Sequence, residues 1–70
     1  MAKVGDRFVR KTSKGLILSE LKVVRVNEKS MFLEDWKGKI YRKSNTDSKT
    51  ISIKPFSDSK YTENYFKLEN

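Results

Sequence analysis

The chain has no cysteine and no histidine. Without cysteine there is neither a disulfide framework nor a thiolate metal site, and the cytoplasm is the expected location. Without histidine the commonest general base and the commonest metal ligand are both missing, so neither catalysis nor a bound metal or cofactor is expected. The carboxylates offer no catalytic pair. Glu34 and Asp35 are sequence neighbours whose side chains diverge in an extended strand, and no serine or threonine has a histidine to activate it. Long hydrophobic runs are also missing. The N-terminal MAKVGDRFVRK lacks the apolar stretch of a signal peptide, and no segment approaches the roughly 20 apolar residues of a spanning helix. No basic amphipathic helix is evident, which argues against a membrane-surface partner. The 70 residues are expected to form one small domain with a thin core. Such a core needs nearly every large apolar side chain, leaving few of the eight aromatics for the surface.

What the chain has in excess is positive charge, 16 Lys and Arg against 9 Asp and Glu, for a net +7. The excess is regional: residues 1–43 hold twelve basic against five acidic residues, and residues 44–70 hold four against four. A regional basic surface is the electrostatic footprint of a partner rich in phosphate or carboxylate. The expected partner is therefore nucleic acid, DNA or RNA, or an acidic protein surface.

The apolar pattern is that of short strands. Arg7 to Lys11 follows a Gly5-Asp6 entry, with Phe8 facing the core. After the turn signal TSKG, Leu16 to Val26 is the longest strand candidate. Its adjacent Val23 and Val24 break the alternation, which calls for a bulge or bend near Val23 to Arg25, or for one half-exposed valine. NEKS reads as a hairpin loop leading to Met31 to Glu34, with Phe32 or Met31 facing inward. DWKG is a second tight turn, leading to Lys39 to Lys43, where Ile40 and Tyr41 point to opposite faces. The polar run 44–50 reads as a loop, and Ile51 and Ile53 alternate in a strand that Pro55 ends. In the tail, Tyr61, Tyr65 and Leu68 have helical spacing after a possible cap at Ser57 or Asp58, whereas Phe66 and Leu68 alternate as a strand. An edge strand over Tyr65 to Leu68 is the preferred reading, a short helical turn the other.

Five or six short strands joined by tight turns curl into a small antiparallel barrel rather than a flat sheet. The order KVGDRFVRK, ELKVVRVNEKS, MFLED, GKIYRK resembles the SH3-like barrels, including the KOW and Tudor groups, over roughly residues 3–54. The glycine that the KOW pattern places ahead of its second strand's valine has no counterpart here. The small size, basic balance and absence of Cys and His also look like the small accessory proteins of bacteriophages. The resemblance implies an SH3-like barrel of five to six strands, with the tail at an edge. Ile51 to Lys54, if uncovered, would pair either with the tail, closing a monomer, or with a second copy in a homodimer.

The candidate interface follows from the basic residues on these strands. Arg7, Arg10 and Lys11, with Lys14, lie on the first strand and its turn. Lys22 and Arg25, with Lys29, lie on the second hairpin, and Lys37, Lys39, Arg42 and Lys43 on the third. Such a patch neutralises phosphates without reading sequence, and it equally describes a solvated surface that keeps a small sheet soluble. Trp36 and Tyr41 are the candidate stacking residues, since exposed aromatics beside cations hold single-stranded nucleic acid. A turn tryptophan also folds back to cap a barrel end, and that alternative stays open at this point.

Overall fold

The computed structural model describes residues 1–54 and 60–69. Six strands form: β1 (Arg7–Lys11), β2 (Ile17–Val26), β3 (Met31–Glu34), β4 (Ile40–Lys43), β5 (Thr50–Ile53) and β6 (Glu63–Lys67). They make one antiparallel sheet in the order β4-β3-β2-β1-β6-β5, curled into a nearly closed barrel compatible with a small SH3-like barrel. Among the described residues no helix is long and apolar enough to cross a membrane.

Two hairpins are built alike. In the β1–β2 turn the Gly15 amide donates to the Thr12 carbonyl, and the Thr12 hydroxyl accepts from the Lys14 and Leu16 amides. In the β3–β4 turn the Gly38 amide donates to the Asp35 carbonyl, and the Asp35 carboxylate accepts from the Lys37 and Lys39 amides at 2.9 Å each. A short polar side chain opens each turn, and glycine closes it at positive φ, 84° for Gly38, where a Cβ would clash with the following backbone. The expected irregularity in β2 is a bulge. Lys22 and Val23 pair with Glu34 and Leu33, then Arg25 with Phe32, leaving Val24 unpaired and half in solvent. That extra residue restores the inward parity for Val26, which packs against the core.

The core is made by Phe8, Leu21, Val23, Met31, Leu33, Ile51, Ile53 and Tyr65, each nearly or fully buried, with Ala2 at one end. The tail does form a strand, but it is not an edge. β6 lies between β1 and β5, pairing Val9 with Phe66 on one side and Ile51 with Tyr65 on the other. Burying Tyr65 beside Ile51 explains the placement, because an edge position would leave a large ring with fewer neighbours. The sheet edges are β4 and β5 instead. The role assigned to Pro55 and the alternative cap at Ser57 or Asp58 lie outside the described residues.

The expectation that few aromatics reach the surface is corrected. Phe8 and Tyr65 are buried, and Phe32 and Tyr41 are half-buried, but Trp36, Tyr61 and Phe66 are exposed. So are Leu16, Ile17 and Leu18. For Ile17 and Leu18 the reason lies in strand length. Among the described residues the first half of β2 runs past the end of β3 and pairs with β1 alone.

Candidate nucleic-acid interface

In an antiparallel pair, residues directly opposite each other share a face. Met31 and Leu33 point into the barrel, so Phe32 points out, opposite Arg42 on β4 and Arg25 on β2. The outer face therefore carries the cross-strand row Arg25, Phe32, Arg42. The Arg25 guanidinium lies 5.7 Å from the centroid of the Phe32 ring, within the range of a cation–π contact. Its Nε also donates to Asn27 Oδ1 at 3.3 Å. On the other flank, Arg42 Nε donates to the hydroxyl of buried Ser30 at 3.2 Å. One residue toward the β2–β3 loop, Lys43 stands opposite Met31 and is half-buried. One row toward the β3–β4 turn, exposed Lys22 stands between Glu34 and Arg7.

The basic residues divide by what they already hold. Arg7 is ion-paired with Glu20, and half-buried Arg10 with Glu63. Lys67 bridges to Asp6 at 3.4 Å, and the lysine at 49 reaches Glu69 at 3.3 Å. The Arg7–Glu20 pair joins β1 to β2, the Arg10–Glu63 pair joins β1 to β6, and the other two lie at or just beyond strand ends. Among the described residues no ion pair involves Lys22, Arg25, Lys37, Arg42 or Lys43. Of these, Lys22 and Arg25 lie on β2, Arg42 and Lys43 on β4, and Lys37 in the turn between β3 and β4. Lys11 is exposed at the end of β1, beside Val9 and Phe66 and away from that group.

The two aromatics picked out from the sequence behave differently. Trp36 is 80% exposed in its turn, so it does not cap the barrel, and the Lys37 ammonium lies 5.0 Å from its ring centroid. Tyr41 packs against the core, and its hydroxyl donates to Asp35 Oδ2 at 3.2 Å. Burial, then the charge of Asp35, raises its pKa above the ordinary tyrosine value. Tyr41 is part of the hairpin's internal scaffold, with the Lys39 ammonium 5.1 Å from its ring centroid. The aromatic that stands among free arginines is Phe32, which sequence reasoning left as an alternative core residue. The available signal was parity: Met31 and Leu33 share a face, so Phe32 must take the other.

Comparison with protein-family models, with curated proteins and with solved structures returns no match. What the fold defines is a small all-β barrel, and the functional reading stands on the geometry of this chain.

Proposed function

We propose that the protein is a nucleic-acid-binding module of low sequence specificity. The observation that supports the reading is the row Arg25, Phe32, Arg42: an outward phenyl ring between two arginines that make no ion pair among the described residues. Two guanidinium groups flanking a ring match a strand in which phosphates alternate with bases. The arginines neutralise phosphates, and the ring supplies a face on which a base stacks. A base inside a duplex is already stacked, so the reading favours single-stranded DNA or RNA. Lys22, in the next outward row, extends the path of the backbone. Lys43, opposite inward Met31, does not share that face, and Arg7 and Arg10 serve the barrel through their ion pairs. Within the small all-β barrels, the strand order and the Gly5-Asp6 entry suit the SH3-like type. The size and basic balance suit a bacteriophage accessory protein working in the cytoplasm without a cofactor.

The test is fluorescence anisotropy of labelled single-stranded DNA, duplex DNA and RNA, titrated at low and at moderate salt. The expected result is single-strand binding that weakens steeply with salt and is reduced by Arg25→Glu or Arg42→Glu for all sequences alike. Absence of binding at low salt, where electrostatics are least screened, overturns the proposal. The same row would then be the docking face for an acidic protein surface.

A further inference from the structure

Strand β2 is ten residues long, yet among the described residues only its second half pairs on both sides. From Ile17 to Leu21 it pairs with β1 alone, because its pairing with β3 begins at Lys22 opposite Glu34. Val23 directs its amide and carbonyl toward the β1 side, to Asp6 at 2.8 Å and from Gly5 at 2.9 Å. Peptide groups alternate sides along a strand, so Glu20 directs its amide and carbonyl the other way, toward the uncovered edge. Such an edge is a template for a further strand.

Beside this edge lies a groove of about 500 Å³, between the first half of β2 and the β3–β4 turn. Its apolar lining is Ile17, Leu18 and Trp36, which are 46%, 62% and 80% exposed. Its charged lining is Glu20, Glu34 and Asp35 against the single cation Lys22. On a protein of net charge +7, this is a local reversal of sign. Glu20 is paired with Arg7 and Asp35 is held by its turn, whereas Glu34 makes no ion pair among the described residues. Lys22 and Glu34 form the wall of the groove that faces the row of Phe32.

We propose that this groove binds an extended segment of a partner protein rich in alternating basic and apolar residues, added as a short strand to the open edge of β2. The apolar side chains of the segment lie against Leu18 and Trp36, and its basic side chains meet Glu34 and Glu20. The peptide bonds pair with the peptide group of Glu20. Charge selects this occupant over others. Nucleic acid would bring phosphates against three carboxylates, and a second copy docked by the same face would bring the same three carboxylates, on a body of like net charge.

The test uses a short peptide alternating lysine and valine, and its glutamate–valine counterpart. Each is titrated into the whole protein at low salt, with Trp36 emission and amide resonances as readouts. The expected result is that the lysine peptide shifts Trp36 emission and the resonances of residues 17–22 and 34–36, and slows exchange of the Glu20 amide. The glutamate peptide does neither. Glu34→Lys, at an exposed site, weakens binding roughly tenfold, as replacing an attractive charge by a repulsive one at an interface does. Leu18→Ser, also exposed, weakens it without changing the circular dichroism. The proposal is overturned if the two peptides bind alike, if saturating lysine peptide moves only resonances around Phe32, or if Glu34→Lys has no effect. It is equally overturned if sedimentation shows that the protein alone forms a dimer that buries Trp36. Variants separate this site from the one proposed above: Leu18→Ser weakens the peptide and leaves oligonucleotide affinity unchanged, and Phe32→Leu does the reverse.

Discussion

Arg42 donates through Nε to the hydroxyl of Ser30, which is 3% exposed, and the bond ties the guanidinium to the start of the strand that carries Phe32, using a single donor. An arginine held this way has lost part of its rotamer freedom before a phosphate arrives. Ser30→Ala releases it while leaving the charge in place. Affinity for a single-stranded oligonucleotide should fall by about three- to tenfold, the worth of one hydrogen bond, with an unchanged salt slope. Arg42→Ala should instead lower the slope of log K against log salt by about 0.7. Titrations at several salt concentrations distinguish the two effects.

Phe32 is half-buried, so its replacement tests stacking only if packing is kept. Phe32→Leu retains an apolar side chain of similar bulk and removes the flat face. Binding should weaken by about 1–3 kcal/mol, with the urea midpoint of unfolding nearly unchanged. Equal binding by Phe32→Leu and the parent protein would remove Phe32 from the interface.

Asp35 accepts hydrogen bonds from the Lys37 and Lys39 amides and from the Tyr41 hydroxyl. Asp35→Ala should destabilise the barrel by about 1–3 kcal/mol in urea unfolding, since several donors lose their acceptor. Asp35→Asn keeps an acceptor oxygen but no charge. In that variant the phenol of Tyr41 should titrate at lower pH than in the parent and still above the ordinary value, because burial is the larger cause of its upward shift and persists. Ultraviolet titration of the tyrosinates reads this out.

The Lys3 amide donates to the carboxylate of Asp6 at 2.9 Å, and with Lys67 nearby the pKa of Asp6 falls below its ordinary 3.8. A carboxyl whose folded pKa lies below its unfolded one stabilises the fold at pH above the unfolded value. That contribution is lost as pH falls through the folded value. Thermal unfolding should therefore show a decline in midpoint below about pH 4 that is shallower in Asp6→Asn.

Leu21 and Leu33 have no exposed surface. Leu21→Ala should cost about 2–5 kcal/mol, a large share of the stability of a domain this small. Circular dichroism should show it largely unfolded at physiological temperature.

Much of the barrel was legible in the chain. The expected strands Arg7–Lys11 and Met31–Glu34 match the observed ones residue for residue, and both glycine-closed turns fall where TSKG and DWKG place them. The paired valines announced the bulge at Val24. These features depend on neighbours one to four residues away, and local sterics and turn chemistry act over that range. The tail was legible only as a strand. Whether β6 ends the sheet or closes it depends on where β1 and β5 lie, and its own alternation carries no such information. The exposure of Trp36 and the inward turn of Tyr41 were likewise set by what surrounds each ring.

The candidate interface shows the same division. Composition alone determined that the first 43 residues are basic and that the protein has no histidine or cysteine. Which cations remain unpaired was decided by the fold. Arg10 meets Glu63 across 53 residues of sequence, and Arg7 meets Glu20 across 13, whereas Arg25 and Arg42 come to either side of Phe32 with no carboxylate in an ion pair among the described residues. A charge count sees only the sum, because it has no distance in it. The energy of an ion pair depends on separation and solvent exposure, and those exist only once the register of the strands is set.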